Sequence, residues 1–261
     1  MNAPIAIMTD FGLEDGSVGV MKGVINSIAP GTNIVDISHQ VPPQNIDTAS
    51  FLLSTVVHFF PVETIFLVVV DPGVGSERKG MAGKIGNKYF VCPDNGIITD
   101  WIAMEKNGEF VSLENKEYWL NKISFTFHGR DIFAPVASHI SNGIPLSNFG
   151  AEIVKPVLLP YESPKWADNT TKGRIRYIDH FGNLVTDFHS SLIEEIEDKD
   201  SVEISLGDIK ISKISKYYSA CKPGNLVAVV GGFGYLEIAC VNGNASLLTG
   251  IETGSEVLLK K

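Results

Sequence analysis

Between Thr64 and Val70 the chain reads Thr-Ile-Phe-Leu-Val-Val-Val, with no polar side chain after the first. A strand that is apolar at every position has both faces covered, as in a parallel sheet layered between helices. The flanking sequence fits that arrangement. Pro4 to Met8 is a short apolar strand, and Val20, Val24, Ile25 and Ile28 then recur near helical spacing until Pro30-Gly31. Asn33 to Ile37 reads as a second strand. Asp47 to Phe60 reads as a second helix, with Ala49, Leu52, Leu53, Val56 and Phe60 on one face and Pro61 as its stop. Tyr89 to Cys92 gives a fourth strand and Ile132 to Ile140 a further helix. Alternating strands and helices predict an α/β domain over residues 1–160, with a Rossmann-like, largely parallel sheet.

Leu158 to Thr171 is rich in Pro, Ser, Asn and Asp and reads as a linker. Beyond it the pattern changes. Arg174 to Ile178, Val202 to Leu206, Ile209 to Ile211, Leu226 to Val230, Tyr235 to Val241 and Glu256 to Lys260 are short strands between turns. Ser191 to Asp198 offers one short helix. Residues 171–261 are therefore expected to form a small antiparallel β-barrel domain.

Composition narrows the function classes. The net charge of -9, with acids and bases interspersed, argues against non-specific nucleic-acid binding and mildly favours a cationic substrate. The longest apolar run, Ile65 to Val70, is far shorter than the ~20 residues of a membrane helix. Met1-Asn2-Ala3-Pro4 has neither the basic region nor the apolar core of a secretory signal. Cys92, Cys221 and Cys240 are odd in number and widely spaced, which predicts no disulfide framework, no zinc site and a reducing cytoplasm.

Asp10, Asp71 and Asp94 each follow a predicted strand directly or within two residues. Ligands of parallel α/β sheets bind beyond the carboxyl ends of the strands, so this edge is the expected site. Asp71-Pro72-Gly73-Val74-Gly75-Ser76-Glu77-Arg78 carries two glycines that let backbone approach a ligand. It lacks the third glycine of a dinucleotide fingerprint and reads equally as a tight turn with a surface Arg–Glu pair. In Ser124-Phe125-Thr126-Phe127-His128-Gly129-Arg130-Asp131, His128 stands just before a helix start, where Arg130 and Asp131 can pair or cap. His39 and His58 read as turn and helix residues. A metal site from His39, Asp36 and Asp10 has no ligand spacing behind it. Asp179-His180-Phe181-Gly182-Asn183 and Asn242-Gly243-Asn244-Ala245-Ser246 read first as β-turns, with Tyr235 and Glu237 on the strand between. Those turns could also present a ring and amides to a flat heterocycle.

Taken together, these segments resemble the S-adenosylmethionine hydroxide adenosyltransferase family, which includes fluorinating and chlorinating enzymes. The likeness runs in order through Thr9-Asp10-Phe11-Gly12, Met21-Lys22-Gly23-Val24-Ile25, Asp36-Ile37-Ser38-His39 and Val41-Pro42-Pro43-Gln44. It continues through Val69 to Gly75, Pro93-Asp94-Asn95-Gly96 and Thr126 to Asp131. It ends at Phe181-Gly182-Asn183-Leu184, Tyr235 to Ala239 and Gly243-Asn244-Ala245. Both expected domains are covered.

The resemblance implies cleavage of S-adenosylmethionine to adenosine and L-methionine by hydroxide attack at ribose C5′. It implies a homotrimer with each site between subunits, and no metal or redox cofactor. The Asp–Arg–His set of hydrolytic members falls on Asp71, Arg78 and His128. Asp10 would hold the ribose diol with Phe11 beside it, and Asp15 and Ser17 the methionine ammonium and carboxylate. Asp179, Phe181, Asn183, Tyr235, Glu237 and Ala245 would complete the substrate site, Phe181 stacking on adenine and Asn183 reading its edge. Gly129 stands at the candidate halide position and Val74 where the fluorinating enzyme uses threonine. Both departures favour hydroxide over a halide. Thr186-Asp187 departs from the usual Thr-Asn. A binding or sensing module without turnover is the alternative from a different class.

Overall fold

A computed structural model of the chain describes residues 2–105, 107–160 and 162–261. It divides into two compact units, residues 1–160 and 161–261.

The first unit is built on a six-stranded sheet: β1 (Ile5–Thr9), β2 (Ile34–Ser38), β3 (Ile65–Val69), β4 (Gly80–Ile85), β5 (Lys88–Pro93) and β6 (Gly108–Ser112). Their order is β2-β1-β3-β5-β4-β6. β2, β1, β3 and β5 pair in parallel, while β4 pairs antiparallel with both its neighbours. This order is not the 3-2-1-4-5-6 of a classic Rossmann sheet. β4 and β6 escaped the pattern reading. Gly80 and Gly83 break the apolar run of the first, and Gly108 and Glu109 open the second with residues poor in strand propensity.

Alternation along β1 and β3 splits the core in two. Ile5, Ile7, Ile65, Leu67 and Val69 face α1 (Ser17–Ile28) and α4 (Ala134–Ser141) through Met21, Ile25, Val136 and Ile140. Ala6, Met8, Phe66, Val68 and Val70 face α2 (Ile46–Val56) and α3 (Thr99–Glu105) through Ala49, Leu53 and Trp101. The continuous apolar run of β3 thus serves both cores. The expected helix to Phe60 ends at Val56 and tightens into a 3₁₀ turn, Val57–Phe59.

The second unit holds β7 (Thr170–Ile178), β8 (Leu184–His189), α5 (Ser190–Glu194), β9 (Glu203–Leu206), β10 (Ile209–Ile211), β11 (Ile214–Ser215), β12 (Leu226–Val230), β13 (Tyr235–Cys240), α6 (Ala245–Thr249) and β14 (Glu256–Lys260). The sheet order is β10-β9-β14-β7-β8-β13-β12-β11. All pairs are antiparallel except β11 with β12. The sheet curls around one core that includes Ile175, Leu184, Ile204, Ala228, Leu236, Ile238 and Leu259. It is a curled half-barrel, a coarser form of the small antiparallel barrel the strand pattern predicts. Its edge strands β10 and β11 have three and two residues, too short for a closing ladder. The expected linker is not free chain throughout, because Trp166 packs against this core. The helix expected to Asp198 stops at Glu194.

Candidate active site

The chain runs from β1 out to β2 on one side, then returns to place β3 on the other side of β1. Such a reversal opens a crevice at the carboxyl ends of the two strands that flank it. A cleft of about 290 Å³ lies there, lined by Asp10 and Phe11 after β1, Val69, Asp71, Pro72 and Val74 at and after β3, Gln44, and residues 126–129. Asp94, at the same edge, accepts the Val157 N–H at 2.8 Å and does not line the cleft.

The loop after β3 folds back on itself. Val74 N–H bonds to the Asp71 carbonyl and Ser76 N–H to that of Gly73, which returns Arg78 to the side of Asp71. Gly75 has φ +78°, and a Cβ there would run into the Phe125 carbonyl oxygen. Glycine is what lets this loop lie against the segment carrying His128. Asn95 Nδ2 donates to the Val70 carbonyl at 2.9 Å and fixes the backbone just before Asp71.

His128 immediately precedes a π-helical turn, Gly129–Phe133, that leads into α4. The Asp131 carboxylate, buried at the base of this segment, accepts Arg130 Nε at 2.5 Å and the Ser124 N–H at 2.7 Å. The Arg130 guanidinium stacks over Phe127, whose ring meets Phe11 edge-on with centroids 5.7 Å apart. The two rings form an apolar wall of the cleft.

Arg78, Asp71 and His128 converge. Arg78 Nη2 donates to Asp71 Oδ2 at 2.5 Å and lies 3.1 Å from His128 Nδ1. The side chains of Arg78 and Asp71 are only 9% and 5% exposed, so the pair is screened from water. The guanidinium also sits over the Phe133 ring. Arg78 does not line the cleft; Asp71 and His128 do. Burial pushes the Asp71 carboxyl above its ordinary range, against the pull of Arg78. Burial and the Arg78 charge hold His128 below the usual imidazole value. Asp71 Oδ1 is buried with no hydrogen-bond partner among the described residues. An arginine only donates, so the Nδ1 facing it is unprotonated and the neutral ring carries its proton on Nε2.

Asp10 also reaches the cleft, with Oδ2 accepting the Gln44 N–H at 2.8 Å. Asp15 and Ser17 do not line it. Asp15 Oδ1 accepts the Ser17 N–H at the start of α1, which lowers its pKa. The other expected substrate residues lie in the second unit. Asp179 knots its turn by accepting the N–H groups of Phe181 and Asn183, and Asn183 Nδ2 at 2.8 Å. The Asn183 amide nitrogen is thus engaged locally, while the Phe181 ring is 72% exposed and open to stacking. Tyr235 meets His189 edge-on. Glu237 is buried and accepts the Tyr218 hydroxyl at 2.7 Å. Ala245 is buried at the start of α6.

Gln44, Thr126 and Phe127 line the cleft and were not singled out from the sequence. The available signal was their place inside the motif runs Val41 to Gln44 and Thr126 to Asp131. No group of three or more His, Cys, Asp or Glu able to hold a metal occurs among the described residues. The three cysteines are unpaired.

Comparison with known proteins covers both units. The chain is 33% identical to an (R)-S-adenosyl-L-methionine hydrolase of Salinispora tropica, over 97% of this chain and 96% of that protein. It is 26% identical to a fluorinase of an Actinoplanes species, with 91% of each covered. A crystal structure of an uncharacterized conserved protein from Thermotoga maritima superposes with a TM-score of 0.94 at 36% identity, covering 98% of this chain and all of that one. The SAM hydroxide adenosyltransferase N-terminal domain matches residues 5–150 and its C-terminal domain residues 173–258. With both models matched in order over most of its length, the chain belongs to the SAM hydroxide adenosyltransferase family.

Proposed function

We propose that the protein hydrolyses S-adenosyl-L-methionine to adenosine and L-methionine, a water-derived hydroxide displacing the thioether at ribose C5′. The observation that carries this reading is the convergence of Asp71, Arg78 and His128 at a cleft between β1 and β3, with Asp71 and His128 in its lining and Arg78 beneath them. The Salinispora relative is a hydrolase of the (R) form of S-adenosyl-L-methionine. We extend that form to this chain.

The chemistry asks little of a general acid, because the leaving group is a neutral thioether. The demand falls on the nucleophile. His128, neutral with Nε2–H, donates to the attacking water and orients it. Asp71, which lines the cleft and has a raised pKa, accepts the proton. Arg78 holds both partners and favours the developing hydroxide electrostatically. The apolar Phe11–Phe127 wall displaces bulk water and helps fix an in-line approach. Asp10 accepts the ribose hydroxyls. Asp15, Ser17, Asp179, Phe181, Asn183, Tyr235, Glu237 and Ala245 complete the substrate site, which takes its C-terminal part from a neighbouring subunit of a homotrimer. The cell compartment is the cytoplasm, in keeping with unpaired cysteines.

Gly129 is packed against Val69, Met21 and Phe127, so a hydroxyl-bearing side chain there needs its neighbours to give way. This supports hydroxide over halide as nucleophile. Turnover in ¹⁸O-labelled water tests the mechanism. The label is expected in adenosine at the 5′ oxygen. Label in methionine, a 5′-halo-5′-deoxyadenosine product in halide buffer, or no turnover at all would each overturn it. Sedimentation equilibrium should return three times the chain mass of 28.3 kDa.

A further inference from the structure

Behind the β1 side of the cleft runs a file of close polar contacts that the hydrolytic chemistry does not use. Lys22 Nζ on α1 donates to Asp36 Oδ2 on β2 at 2.6 Å, and Asp36 Oδ1 lies 3.0 Å from His39 Nε2. His39 Nδ1 is 2.9 Å from Thr9 Oγ1 at the end of β1, and Thr9 Oγ1 accepts the Phe11 N–H at 3.3 Å. The His39 side chain is 2% exposed and Thr9 is fully buried. For a neutral His39 ring the file has one self-consistent direction. The Asp36 carboxylate, at ion-pair distance though off the line of a hydrogen bond, draws the proton of a neutral ring to Nε2. Nδ1 then accepts from the Thr9 hydroxyl, whose oxygen is left to accept from Phe11. The His39 carbonyl also takes the Gly12 N–H at 2.7 Å, and the Thr9 carbonyl the Val41 N–H. His39 therefore holds the backbone on both sides of Asp10 and Phe11, the two residues that β1 delivers to the cleft.

We infer that His39 is a positioning residue that, through Thr9, sets the Asp10 carboxylate for the 2′- and 3′-hydroxyls of the ribose. The inference rests on the proposed ribose role of Asp10. A buried hydrogen bond of fixed direction suits this task better than a surface ion pair, because it is not exchanged for water. The half-exposed Lys22–Asp36 pair serves mainly to fix the tautomer of His39.

The test compares adenosine with 2′-deoxyadenosine by calorimetry, beside steady-state kinetics on S-adenosylmethionine, using the full chain. Wild type is expected to prefer adenosine. Thr9→Val, which keeps shape but loses the hydroxyl, should weaken adenosine and raise KM by about tenfold, with kcat within about threefold. It should also shrink the preference over 2′-deoxyadenosine, which a general loosening of the fold would leave intact. Thr9→Ser should restore both. His39→Leu, which offers neither donor nor acceptor, should repeat the Thr9→Val loss. An unchanged preference in Thr9→Val and His39→Leu, or a loss in kcat in place of KM, overturns the inference. If wild type itself does not distinguish the two nucleosides, the ribose role of Asp10 fails and this inference with it, whatever the turnover assay shows.

Discussion

Arg78 reaches His128 across fifty residues of sequence, with its Nη2 atom 3.1 Å from the imidazole Nδ1. A permanently protonated donor at that distance fixes the ring as the neutral Nε2–H tautomer. In the proposed reaction His128 is thereby the donor to the attacking water and Asp71 the proton acceptor. Arg78→Lys and His128→Ala should each lower kcat by about 10²-fold or more with a far smaller change in KM, as for groups that act in the transition state. The double variant should be little worse than either single one. Asp10→Ala should raise KM first, because the ribose is held alike in ground and transition states. Steady-state kinetics on all four variants checks this, and near-normal kcat in both single variants would falsify the assignment.

The pH dependence follows from the directions of two shifts. Asp71 must be ionised to accept a proton, and burial raises its pKa above the ordinary 3.8. The acid limb of kcat/KM should therefore have its midpoint above that value. His128 is held below 6.5, so it is neutral at and above that pH and adds no limb there. His128→Gln should keep the Asp71 limb in whatever activity it retains, and Asp71→Asn should lose it. A limb that survives in Asp71→Asn would move the base elsewhere.

Gly75→Ala probes how the two reactive segments are brought together. A methyl group there meets the Phe125 carbonyl and must also hold φ +78°. The left-handed backbone alone costs about 1–2 kcal/mol. The loop bearing Asp71 and Arg78 should back away from His128, so kcat should fall at least tenfold while far-ultraviolet circular dichroism stays native. Full activity would show that the contact is slack.

Asp187 gives a stability prediction in the second unit. It is 5% exposed, and burial raises its pKa from 3.8 to about 6 despite a 2.8 Å bond from the Arg174 N–H. A raised carboxyl pKa means the fold prefers the protonated form. Its contribution is full below pH 3.8 and is lost as pH rises to about 6. Asp187→Asn cannot titrate. Its stability relative to wild type should improve between pH 4 and 7 by up to about 3 kcal/mol. Urea unfolding at the two pH values measures this, and a pH-independent difference would refute it.

The sequence alone determined the layering. An apolar run with no alternation, Ile65 to Val70, can be satisfied only by covering both faces, and strands separated by amphipathic helices then follow a short list of connections. It also pointed to the sheet edge where Asp10 and Asp71 follow their strands, the edge at which the cleft lies, whereas Arg78 and His128 were joined to them only by the family resemblance. The tertiary structure decided what these segments do to one another. The strands β4 and β6 rest on pairing partners instead of local propensity, and the half-barrel stays open because its edges are too short. The 3.1 Å approach of Arg78 to His128 and the file from Lys22 to Phe11 join residues remote in the chain. Local periodicity reports the burial of a face. It does not encode which buried polar atom meets which, since that is set only when strands from different parts of the chain are brought side by side.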